Sequence, residues 1–115
     1  MKRPGQIVLV PFPYADLSGA KLRPVLLLCK TSSRFDDWLV CMVSSQLQQA
    51  EADFDELVSP SDSDFATSGL KAASVVRISR LAVIEGALLA GCIGSIGDNR
   101  LAKIRQRLAA WIGGE

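Results

Sequence analysis

The amino-acid sequence predicts a mainly β fold, a small and strongly bent sheet or barrel with a helix packed on it. Two observations carry this. Along residues 6–97, six short apolar or alternating segments follow one another, bounded by Pro, Gly, Ser or Asp. Only residues 98–112 place apolar side chains at helical spacing. Many short strands followed by one helix suit a curled sheet that needs cover on one face. With 115 residues the chain can bury one core but not two, so a single domain over 1–115 is expected.

Residues 6–12 (QIVLVPF) read as the first strand, started by the Pro4-Gly5 turn and stopped by PFP. Residues 13–23 (PYADLSGAKLR) form a loop, long for a hairpin, and long loops often carry function. Residues 24–30 (PVLLLCK) are a second strand, almost continuously apolar. TSSRFDD turns the chain into a third, residues 38–45 (WLVCMVSS). Phe54, Leu57 and Val58 indicate a fourth, solvent-facing strand ended by Ser59-Pro60. DSDFATSGLKAA reads as a polar loop with Gly69 at a turn. SVVRISRLAVIE (74–85) is the fifth strand and AGCIGSIG (90–97) a short sixth. In the helix, over about 98–112, Leu101, Ile104, Leu108 and Trp111 or Ile112 form the core-facing stripe, so Trp111 is expected inside. Asp98 suits the positive end of its dipole, and Arg105 and Arg107 the negative end.

Composition excludes several functions. The longest apolar run, GALLAGCIGSIG, is short of the ~20 residues a membrane span needs. MKRPGQ lacks the apolar region of a signal peptide, so a cytoplasmic protein is expected. Cys29, Cys41 and Cys92 show no CxxC spacing and sit in apolar runs, which predicts buried structural thiols. The chain has no histidine, which removes the commonest general base and the commonest zinc ligand. The net charge of +1 hides an asymmetry. Residues 35–70 hold eight of the twelve acids and no base; the rest carries thirteen bases against four acids, a net of +9. Such a chain can offer a positive face to a polyanion, or simply carry a solvated acidic loop.

Arg23 directly precedes Pro24. The proline forces Arg23 into an extended conformation and cannot donate to a ladder, so Pro24 is expected at the first position of its strand. That holds a guanidinium at a sheet rim, preorganised for phosphate or carboxylate, or for a rim salt bridge to Asp16 or Asp37. If the third strand runs antiparallel to the second, Ser44-Ser45-Gln46 at its end brings the Ser44 hydroxyl beside Arg23. Period-2 alternation puts Val75, Arg77 and Ser79 on one face, either solvated or completing a two-cation phosphate site, with Lys21, Lys71 and Arg80 extending it. Arg100, Lys103 and Arg107 occupy a face of their own, expected to be solvated.

GQIVLVPFPYADLSGAKLRPVLLL strongly resembles the N-terminus of the MazF/PemK toxin family, and VCMVSSQ and SVVRISRLAVIE are similar to its later blocks. The resemblance implies an SH3-like (CcdB/MazF-type) small β-barrel with a C-terminal α-helix, usually homodimeric. It implies a type II toxin–antitoxin endoribonuclease, an mRNA interferase that cuts single-stranded RNA at short sequences without metal or cofactor. A cognate antitoxin lays a flexible segment along the dimer groove, and operator DNA is met only through that complex. The family's essential arginine maps to Arg23 and its strand-end hydroxyl to Ser44, with Ser45 the near alternative and Gln46 adjoining. The resemblance implies that the loop over residues 14–22, with Asp16, Ser18 and Lys21, gates the site and touches RNA. In one branch an arginine followed two positions later by an aspartate completes the site; here these are Arg77 and Ser79, so the carboxylate is absent.

Two rivals belong to other classes: a member that binds RNA without cutting it, and a gyrase poison on the same barrel. The WIGGE tail is similar to the Trp-Gly-Ile ending of such poisons, but in a different order.

Overall fold

The computed structural model describes residues 2–11 and 22–114. Its sheet has six antiparallel strands: β1 (Gln6–Pro11), β2 (Leu22–Lys30), β3 (Asp37–Ser44), β4 (Glu56–Val58), β5 (Ser74–Glu85) and β6 (Gly91–Ser95). Their spatial order is β4-β5-β3-β2-β1-β6. One-turn helix α1 (Phe65–Ser68) precedes β5, and α2 (Asp98–Ile112) closes the chain. No helix of the described residues is long and apolar enough to cross a membrane.

β2 is almost continuously apolar because both its faces are buried. Leu26 and Leu28 join Ile7, Cys41, Val76 and Ile78 under α2, where Leu101, Ile104 and Leu108 complete the cluster. Val25 and Leu27 face the other way, among Val8, Val10, Trp38, Val40 and Ile84. The curl is visible in the register between β3 and β5. Cys41 pairs with Leu81 but Met42 with Arg77, so residues 78–80 bulge out of the ladder and bend β5.

Several expectations need correction. β2 begins at Leu22, two residues before Pro24. Beyond Val25 the ladder to β3 has ended and only β1 still pairs, so a residue without an N–H is tolerated there. The polar stretch after Pro60 contains α1, because Phe65 and Leu70 anchor it to the core under α2. Trp111 is half exposed, its ring tilted against Phe54 at 5.6 Å between centroids. Cys41 is buried and burial raises its thiol pKa, but Cys92 is exposed on edge strand β6. Arg105 and Arg107 do not serve the helix dipole. Arg105 donates to the Leu28 carbonyl at 2.6 and 3.1 Å, and Arg107 to the Phe54 carbonyl at 3.1 Å.

Candidate functional site

The pairing phase of β2 and β3 sets Val25 against Met42. Arg23 and Ser44 lie just beyond this last rung, on the two strands' adjoining ends, and both line one open groove of about 540 Å³. Ser45, Gln46, Lys71 and Ser74 supply its other polar groups; Leu9, Pro24, Val43, Leu70 and Ile93 supply apolar surface. A surface of this mixture suits a ligand with charged and apolar parts.

The local sequence explains how each group is held. Ser44 ends β3, and its Oγ accepts the Gln46 N–H at 3.0 Å. That fixes the hydroxyl oxygen and leaves its proton to donate outward. Gln46 Oε1 accepts from Gln48 Nε2 at 2.8 Å, which steadies the turn after the strand. Arg23 is half-buried at the rim, directly opposite Val10 of β1. Among the described residues its guanidinium has no ion-pair partner. Asp37 does not reach it, because that residue starts β3 at the far end of the strand, against Glu85. Asp16, Ser18 and Lys21 lie outside the described residues.

The structure does not bring Arg77 and Ser79 to this groove. Arg77 Nε lies 3.3 Å from Asp55 Oδ2, near enough for the charges to interact but off the line of a good hydrogen bond. Its Nη1 donates to Gln49 Oε1 at 3.0 Å. Asp55 itself has no exposed side-chain surface and also accepts the Ile78 and Glu51 N–H groups. Arg77 therefore neutralises a buried carboxylate. Ser79 falls in the bulge that leaves the β3 ladder.

Of the helix bases expected to be solvated, Arg100 is not, whereas Lys103 remains half exposed. Arg100 donates to Asp64 at 2.8 Å through Nε, to Asp62 at 2.8 Å and to Glu56 at 2.8 Å. Lys103 and Arg107 also pair with Glu56. The Ser59 N–H and then Arg100 hold the Asp62 carboxyl below the usual aspartate range. Arg100 first, with the Gly97 N–H, does the same for Asp64. Three acids of the segment, Glu56, Asp62 and Asp64, are thus neutralised by the helix.

Sequence reasoning left out Ser74 and Ile93 as groove residues. Ile93 reaches the site through β6 pairing with β1, where Ile7 faces Gly94, and no local pattern announces that pairing.

Comparison with known proteins agrees with this architecture. A sequence profile described as PemK-like, MazF-like toxin of type II toxin–antitoxin system matches residues 3–112. Among curated proteins, none matches. Solved structures similar in fold include the following three. A mycobacterial endoribonuclease in complex with its cognate antitoxin superposes with a TM-score of 0.72 at 16% identity, over 98% of this chain and 96% of that one. The Mycobacterium tuberculosis toxin MazF-mt6 gives 0.61 at 23% identity, covering 97% and 94%. A second mycobacterial endoribonuclease gives 0.66 at 18% identity, covering 96% and 89%.

Proposed function

The chain belongs to the PemK-like, MazF-like toxins of type II toxin–antitoxin systems, and from that premise we propose a metal-independent endoribonuclease acting on single-stranded RNA. The observation that carries the proposal is the groove lined by both Arg23 and Ser44, with no carboxylate among the described lining residues. The two endoribonucleases of similar fold support it.

In this reading the scissile phosphate sits between Arg23 and Ser44. The 2′-oxygen of the neighbouring ribose attacks phosphorus, the bond from phosphorus to the 5′-oxygen breaks, and a 2′,3′-cyclic phosphate is left. Arg23 stabilises charge on the phosphoryl oxygens and supplies a proton to the departing 5′-oxygen. Ser44 donates its hydroxyl proton to the phosphate, its oxygen already oriented by the Gln46 N–H. The proton of the 2′-hydroxyl leaves to water, since the described lining offers neither histidine nor carboxylate. Turnover is accordingly slow.

Short preferred RNA sequences are read by the polar rim, Ser45 and Gln46 included, and by Asp16, Ser18 and Lys21. The other partners are a cognate antitoxin and a second copy of the chain, with operator DNA met only through the antitoxin complex, all in the cytoplasm. The antitoxin-bound structural relative supports the first of these.

Cleavage of single-stranded RNA by purified protein in EDTA tests the proposal. Removing one donor aimed at transition-state charge typically costs ~10²–10³-fold. Arg23→Ala should lose about that much, and Ser44→Ala about tenfold. Wild type cutting RNA no faster than Arg23→Ala sinks the ribonuclease reading. DNA breaks on induced expression, with RNA intact, point instead to a gyrase poison.

A further inference from the structure

We propose that Lys71 is the second cation of the groove and binds the RNA phosphate backbone, the role that strand alternation suggests for Arg77. The inference rests on the ribonuclease reading and adds to it a substrate-binding residue. Arg77 is unavailable, its charge committed to a carboxylate whose side chain has no exposed surface. Lys71 is exposed, lines the same groove as Arg23 and Ser44, and has no ion-pair partner among the described residues. Because no acid stands among the described lining residues, the two bases leave that lining with an uncompensated charge of +2.

The backbone that presents Lys71 is tied at both ends. On the near side α1 ends at Gly69 with φ 75°, where a Cβ would fall 2.0 Å from the Ile93 carbonyl oxygen. The Leu70 N–H then donates to Ser68 Oγ at 3.1 Å. On the far side Ser74 Oγ donates to the Ala72 carbonyl at 2.9 Å, at the start of β5. α1 is moored in turn through Asp64, which accepts the Gly97 N–H at 2.9 Å and the Arg100 guanidinium. Lys71 therefore sits on a fixed arch, with the reach of a flexible stem. A compact ammonium on such a stem follows a phosphate as a point charge and imposes no bidentate geometry. That suits affinity for the strand, not selection of its bases.

The test compares full-length wild type, Lys71→Ala, Lys71→Arg and Arg23→Ala. One readout is cleavage of single-stranded RNA. The other is binding of a fluorescent 2′-O-methyl RNA oligonucleotide, which cannot be cut, from low to moderate salt. Lys71→Ala should raise KM and Kd about tenfold. It should flatten the slope of log Kd against log salt by about 0.7, the share of one phosphate on a single strand. The preferred cleavage sequence and the melting temperature should not change, and Lys71→Arg should restore the slope. An unchanged slope and Kd in Lys71→Ala, alongside weaker cleavage by Arg23→Ala, overturns the proposal and leaves the ribonuclease intact. If Arg23→Ala and wild type are equally inert, it is the ribonuclease reading that fails. The 2′-O-methyl slope alone then decides for or against Lys71.

Discussion

Arg23 and Arg77 have the same charge and opposite fates, decided by single neighbours. Arg23 precedes a proline and opens onto the groove; Arg77 lies across a bend from Asp55. Removing the partner of a buried charge costs about 3 kcal/mol or more, because the remaining ion stays desolvated. Arg77→Ala should therefore lower unfolding free energy by about 3 kcal/mol in urea titration, and Asp55→Asn in the same background should recover part of it. Arg23→Ala should change stability by less than about 0.5 kcal/mol. A stable Arg77→Ala protein would contradict the assignment of Arg77 to structure. Arg23 was legible because the constraint from Pro24 is local. The fate of Arg77 was not, because Asp55 lies 22 residues away along the chain and meets it only once β5 has bent.

At the scale of elements, α2 works as a clamp as well as a lid. Its buried stripe of Leu101, Ile104 and Leu108 covers the sheet, while Arg100 grips β4 at Glu56 and the segment before α1 at Asp62 and Asp64. Helix and stripe were readable from periodicity. The clamp was not, since the pairing of a helix base with acids some forty residues earlier depends on topology. The lowered values of Asp62 and Asp64 fix the sign of an acid response. A carboxylate whose folded pKa is depressed contributes stability above its unfolded value, about 4, and loses it as pH falls through the folded value. The melting temperature should thus drop as pH goes below about 4, more steeply in wild type than in Arg100→Met, which starts lower. Parallel acid profiles for the two would contradict the clamp.

Across the whole molecule, the charge asymmetry of the sequence is partly resolved internally. The eight acids of residues 35–70 include the partners of Arg77, Arg100, Lys103 and Arg107, so four of the thirteen bases are neutralised within the fold. What remains uncompensated at the groove is Arg23 and Lys71, a small patch beside an oriented hydroxyl. The strand order and the location of that patch follow from β2 standing between β1 and β3, which composition alone does not reveal. The central claim is that this patch directs a 2′-hydroxyl onto its own phosphate. Mass spectrometry of the RNA ends formed in EDTA tests it most directly. The account predicts 2′,3′-cyclic phosphate and 5′-hydroxyl termini, with no cleavage at a ribose carrying a 2′-O-methyl group. Termini with a 5′-phosphate and a 3′-hydroxyl, or cutting that persists at the methylated position, would contradict it.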